Sequence, residues 1–155
     1  MRTLKKERDK AVIGRIEKID FPELGIEEID CKIDTGAYTS SIHCHDIEPF
    51  TQDGREMVRF RLLDPTHPAF NHKEIVMPVK TRRKVKSSFG NTQKRIIIQT
   101  KMLIFGKLYV TELSLADRSK MTFPVLMGRK AISKRFLVDV SKTNLSHKSK
   151  LSSNP

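Results

Sequence analysis

Apolar and polar residues alternate with a period of two along most of this chain, the spacing that sends successive side chains to opposite faces of a β-strand. Ala11 to Ile19 is the first such stretch and ends at the turn residues around Asp20-Phe21-Pro22. Gly25 then leads into a second, Glu27 to Asp34, which sets Ile29, Cys31 and Ile33 on one face. Arg55 to Leu63 predicts another strand, and so does Lys73 to Lys80. The latter belongs at an edge or a bend, because Pro78 has no amide to give to a ladder. Val85 to Ser88 and Lys94 to Ile104 flank Ser88-Phe89-Gly90-Asn91, which reads as a hairpin tip. A tight turn at Phe105-Gly106 leads into Leu108 to Leu115, and only Gly128 to Phe136 carries helical spacing. The pattern predicts a mostly β fold, a small closed barrel or sheet with one short C-terminal helix.

A length of 155 residues predicts one domain. We place it at 11–140, between a flexible basic arm (1–10) and a Ser/Lys-rich tail (141–155) whose composition predicts disorder. No run approaches the ~20 apolar residues that span a bilayer, and no apolar stretch follows the basic start, so neither membrane insertion nor a signal peptide is expected. Cys31 and Cys44 are too few for a disulfide scaffold, which points to the cytoplasm. The net charge of +12 implies an anionic partner. Part of the excess lies in the terminal segments, but Lys80 to Lys86 alone carries five cations in seven residues.

The chemistry centres on Ile33-Asp34-Thr35-Gly36-Ala37. A strand delivers a carboxylate to a sheet end, Gly36 lets the backbone turn sharply beside it, and the turn amides with the Thr35 hydroxyl can orient it. The same residues also suit an ordinary Asx-turn where a strand stops. A second segment, Phe123 to Ile132, is an apolar run that stops at Gly128 and passes into the predicted helix. Aspartic proteases of the retroviral type combine these two elements in this order.

The resemblance extends further. Ile13-Gly-Arg-Ile-Glu17, Leu24-Gly25, Lys32 to Ala37 with Thr39-Ser40, Arg82 to Ser88 with Gly90, Asp117-Arg118-Ser119 and Met121 to Ile132 together span roughly residues 12 to 140. In these the chain resembles the retropepsin-like family labelled "ATP-dependent zinc protease", which accompanies glutamate ligases of the RimK type. The resemblance implies a retropepsin-like barrel with Asp34 as the catalytic carboxylate of an aspartic peptidase. Thr35, Gly36 and Ala37 would shape its turn, Gly128 would pack behind it, and Arg129 would make a structural ion pair nearby. One Asp-Thr-Gly per chain implies a homodimer, in which two Asp34 carboxylates share a proton and hold a hydrolytic water.

Neither word of that label finds its own motif. There is no Gly-rich phosphate loop followed by Lys-Ser or Lys-Thr and no His-Glu-x-x-His, so no cofactor is expected. His43 and His45 would share a strand face and could hold zinc with a third ligand such as Asp46, but they read first as ordinary exposed histidines, and no metal is expected. The basic segment has three readings: a charged hairpin edge that resists aggregation, a phosphate-binding patch, or a cradle for an acidic peptide. Without tryptophan and with two tyrosines, base stacking has little support, so nucleic acid is not the expected target. In the third reading Arg82, Arg83, Lys84 and Lys86, with Lys32, Ser87 and Ser88, receive the substrate, and polyglutamate tails made by a RimK-type ligase would suit them. The expected function is thus an aspartic-type peptidase acting on acidic tails. A non-catalytic module that binds acidic or ribosomal partners through the 80–95 hairpin is the alternative, and a zinc-dependent hydrolase is third.

Overall fold

The structure, a computed structural model, describes residues 10–62, 73–86, 90–117 and 122–152. Eleven strands follow one another in the chain. They are β1 (Ala11–Ile13), β2 (Ile16–Phe21), β3 (Ile26–Ile33), β4 (Ser41–Gln52), β5 (Arg55–Leu62) and β6 (Glu74–Pro78), then β7 (Thr81–Lys86), β8 (Thr92–Ile104), β9 (Lys107–Ala116), β10 (Val125–Met127) and β11 (Phe136–Val138). A 3-10 turn (Pro22–Leu24) precedes β3, and two helices, α1 (Arg129–Ile132) and α2 (Leu145–Ser152), lie late in the chain.

The mostly β reading holds, and the pairings run round in a ring. β3 pairs with β2, β2 meets β8 at Asp20 and Leu103, β8 pairs with β9, and β9 lies parallel to β4. Short β10 closes the circuit, parallel to β3 and antiparallel to β4. β5 and β6 extend the sheet beyond β4, and β7 hangs on β8 as a hairpin. Alternation puts the branched side chains inside: Ile29, Cys31 and Ile33 of β3 are buried with Ile42, Met102, Leu113 and Val125.

Several expectations change. The first predicted strand is two, because β1 leaves the main sheet to pair in parallel with β11. The break falls at Gly14, where a Cβ would lie 2.2 Å from the Lys142 carbonyl oxygen. β4, twelve residues long, has no counterpart among the predicted strands. Its first four residues, Ser41 to Cys44, are all buried, which erases the period of two; Pro49 and a register shift between His45 and Glu48 disguise the rest. Asp53-Gly54, both at positive φ, is the hairpin signal that marks its end.

The larger correction concerns residues 141–152, expected to be without order. Thr143 bridges to Ile16, and α2 follows. Glu17, fully buried, holds this end: its Oε2 accepts the Gly14 and Leu145 amides at 2.7 and 3.1 Å, and its Oε1 accepts the Ser146 amide at 3.0 Å. A buried carboxylate needs such donors, and the first amides of a helix need an acceptor. Each satisfies the other. Of the arm assigned to 1–10, only Lys10 lies within the described residues.

Glu17→Gln keeps the volume but turns an NH2 toward amides that only donate. It is expected to lower the free energy of unfolding by about 1–3 kcal/mol in urea titration. Faster limited proteolysis after Lys148 and Lys150 should accompany the loss. A variant as stable and as resistant as the wild type would show that α2 is held by other means.

Candidate active site

Asp34 is the first residue past β3, half-buried, at the point where the chain leaves the ring. Two contacts fix its backbone: its amide donates to the Met127 carbonyl at 2.8 Å, and its carbonyl accepts the Ala37 amide at 3.2 Å. The Gly36 amide donates to Asp34 Oδ1 at 3.0 Å, so the turn orients the carboxylate it carries. That is an Asx-turn in local geometry. Its setting, with β10 inserted beside β3 so that Met127 pairs with Ile33, distinguishes it from a loop aspartate. Lys32 stands exposed two residues earlier.

Gly128 sits directly behind this turn. A Cβ there would lie 2.7 Å from the Tyr38 carbonyl oxygen and 2.9 Å from that of Ala37, closer than side chains approach. The Gly128 amide donates to Ser40 Oγ at 3.0 Å, and the next two amides, of Arg129 and Lys130, donate to the Ala37 and Tyr38 carbonyls at 2.8 and 3.0 Å. Arg129 then reaches back, its Nη1 donating to the Thr35 carbonyl at 2.9 Å. The ion pair expected of Arg129 is not found among the described residues; the Thr35 carbonyl in the Asp34 turn takes its place.

The basic hairpin divides by face. Arg82 pairs with Glu56 through Nε and Nη2, the Nε contact at 2.8 Å. Arg83 points the other way and donates to Glu112 Oε1 at 3.2 Å and Thr39 Oγ1 at 3.3 Å. Lys130 shares the same Glu112 oxygen at 2.8 Å. Burial alone would raise the Glu112 pKa, but the hydrogen bonds and charges of Lys130 and Arg83 outweigh it and hold the carboxyl below its ordinary range. Tyr38, about half exposed, lies between the Arg83 and Arg129 guanidinium groups, 6.0 and 5.9 Å from its ring centre. Lys84 and Lys86 are exposed, while Ser87 and Ser88 lie outside the described residues. Tyr38, Glu112 and Lys130 escaped the sequence reading. Glu112 is 29 residues from Arg83 and 18 from Lys130, and no local pattern announces contacts so remote.

His43 and His45 both lie on β4 with ring centres 6.5 Å apart, and His43 is buried with Nδ1 3.7 Å from Asp117 Oδ1. No group of three His, Cys, Asp or Glu side chains among the described residues is arranged to hold a metal ion. Both cysteines are free and buried. Burial pushes the Cys44 thiol up to about 12 against a hydrogen bond from Ala116 that lowers it, and burial raises Cys31 as well. Neither is a thiolate near neutral pH, so neither offers a nucleophile.

Gly128→Ala forces the turn and α1 apart. It is expected to destabilise by about 1–3 kcal/mol in urea unfolding and to disturb the Asp34 environment. An alanine variant of unchanged stability would mean that the contact yields. Glu112 gives a pH prediction: because its folded pKa is depressed, its contribution is present above the unfolded value of 4.5 and lost as pH falls through the lower folded value. The gap in Tm between wild type and Glu112→Gln should therefore shrink on acidification from about pH 6 to about pH 3. A gap independent of pH would exclude a charged role for Glu112.

Comparison with known proteins agrees with this geometry. A family model described as RimB-like, "Retropepsin-like aspartic endopeptidase RimB", matches residues 12–149. A probable alpha-L-glutamate ligase of Shewanella pealeana is 38% identical over 139 residues, 87% of this chain and 30% of that protein. One of Desulfotalea psychrophila is 39% identical over 134 residues, 84% of this chain and 28% of that protein. The chain thus spans less than a third of the length of these relatives. A crystal structure of a Legionella pneumophila protein of unknown function has the same fold, with a TM-score of 0.71 at 23% identity over 88% of this chain and 98% of that one. The match across 12–149, with the Asp34 turn and the Gly128 contact inside it, places this chain in the RimB-like family of retropepsin-like aspartic endopeptidases.

Proposed function

We propose that the chain is an aspartic-type peptidase that hydrolyses acidic, glutamate-rich peptide tails, and that Asp34 works as a pair with Asp34 of a second copy. The observation that carries this reading is the Asp34 carboxylate itself: half-buried at a strand end, one oxygen held by the Gly36 amide, on a turn locked from behind by Gly128. We read the ring of strands around it as the small closed barrel of this class of enzyme. Two carboxylates held close together cannot both ionise easily, so one keeps a proton. The ionised member takes a proton from a water as its oxygen attacks the peptide carbonyl, and the protonated member supplies one to the carbonyl oxygen. Collapse of the resulting diol breaks the C–N bond, with a proton passed to the leaving amine.

The choice of substrate rests on charge and on the relatives. A net charge of +12 steers acidic chains toward the protein. The relatives whose segments match are named as probable glutamate ligases, so a glutamate-tailed product is at hand wherever such a ligase works. A RimK-type ligase, and a ribosomal protein bearing the tail, are the partners this reading implies. We place the reaction in the cytoplasm, where Cys31 and Cys44 stay reduced.

The alternative, a binding module without catalysis, draws on the hairpin cations. Arg82 and Arg83 already face Glu56 and Glu112, which favours the peptidase. Asp34→Asn separates the two. It is expected to cut cleavage of a glutamate-tailed protein by at least ~10³-fold, the loss typical of a missing catalytic group, while tail binding persists. Specific activity should also fall on dilution, as a dimeric site requires. A wild-type protein that cleaves no such tail at any pH from about 3 to about 8 would sink the peptidase reading.

A further inference from the structure

We propose that the cleft behind the Asp34 turn is a carboxylate subsite that seats a glutamate side chain of the bound peptide, with Lys130 and Arg135 as its cations. Glu112 is the internal occupant against which the substrate competes. The proposal deepens the peptidase reading and rests on its peptide substrate. The cleft has a volume of about 190 Å³ and is lined by Thr39, Gln99, Thr111, Glu112, Lys130 and Arg135 among others. That is several times the ~30 Å³ share of one water molecule. It is built on the two segments that meet at Gly128: Thr39 follows Tyr38, whose carbonyl accepts the Lys130 amide at 3.0 Å.

Three observations identify the ligand chemistry. The seat already recognises a carboxylate, since one oxygen of Glu112 accepts from both Lys130 and Arg83. The cations outnumber it, because Lys130 and Arg135 line the cleft with a single acid, Glu112, which Arg83 also pairs. Lys130 keeps 41% of its side chain exposed at this site. Arg135 supplies the remaining one: its Nη2 donates to the Val110 carbonyl at 2.9 Å, and its buried Nη1 has no acceptor among the described residues. That nitrogen is shielded from solvent, so Arg135 acts on the cleft through its charge and not through this N–H. The flanking Thr39, Thr111 and Gln99 offer neutral donors at the same place.

A purely structural role for the Glu112 cluster and a subsite predict opposite responses. Binding is read by fluorescence anisotropy in the Asp34→Asn background, where nothing is consumed, with a labelled peptide ending in four glutamates and its four-glutamine counterpart. Lys130→Gln should weaken the glutamate peptide by roughly tenfold, the usual scale for one charged contact, and leave the glutamine peptide unchanged. Glu112→Gln removes the competitor and should tighten the glutamate peptide several-fold. Arg135→Gln repeats the Lys130 test if Glu112→Gln fails to fold. Equal effects on both peptides, or no effect of Lys130→Gln on either, would overturn the subsite. So would a folded Glu112→Gln protein that binds the glutamate peptide less well. Because no arm requires cleavage, a failed peptidase reading leaves this test intact, and an active enzyme blind to Lys130 defeats the subsite alone.

Discussion

Gly128 leaves no room for a Cβ, and the candidate site follows from that constraint. With 2.7 Å between the place a Cβ would take and the Tyr38 carbonyl oxygen, two stretches of backbone lie in direct contact. At that separation backbone amides make the connections: Gly128 reaches Ser40 Oγ, and the Arg129 and Lys130 amides reach the Ala37 and Tyr38 carbonyls. A bulkier residue would open a gap filled by flexible side chains, and the carboxylate would inherit their freedom. Catalytic groups lose effect when they are misplaced by even an ångström. The glycine therefore bears on the position of the Asp34 carboxylate through the backbone it packs against.

The same device recurs at the far end of the domain. Gly14 approaches the Lys142 carbonyl, and Glu17 gathers the Gly14, Leu145 and Ser146 amides around one buried carboxylate. In both places a glycine permits contact between remote backbone segments and a side-chain acceptor secures them: Ser40 behind the Asp34 turn, Glu17 beneath α2. β1 and β11 pair in parallel just beside the second of these, so the two ends of the folded region lie together.

How much of this was legible depended on whether one face of each element met solvent. β3 and the second half of β8 advertise themselves because core and exterior alternate along them, β9 does so only up to Leu113, and the turn at Phe105-Gly106 is plain from its residues. Ser41 to Cys44 did not, since all four are buried and the alternation has nothing to report. Residues 145–152 were hidden differently. Their Ser/Lys composition predicts disorder, and the acid that orders them is Glu17, 128 residues before Leu145. At the site, Asp34 and Gly128 could be paired from their motifs, whereas the partner of Arg129 could not: a carbonyl has no signature in sequence.

The charge on this protein also reads differently once the partners are known. Five cations in Lys80 to Lys86 suggest a uniform basic surface, yet alternation along β7 sends Arg82 to Glu56 and Arg83 to Glu112, on opposite sides. A cation whose acid is close contributes less to the field at a distance and more to fixed local geometry. The hairpin's long-range field therefore falls to exposed groups such as Lys84 and Lys86. Discrimination belongs where cations exceed acids in a partly enclosed space, because there desolvation sharpens each pair. The two faces of one hairpin thus differ in charge, and the face that carries Arg83 is the one that reaches Thr39 beside the Asp34 turn.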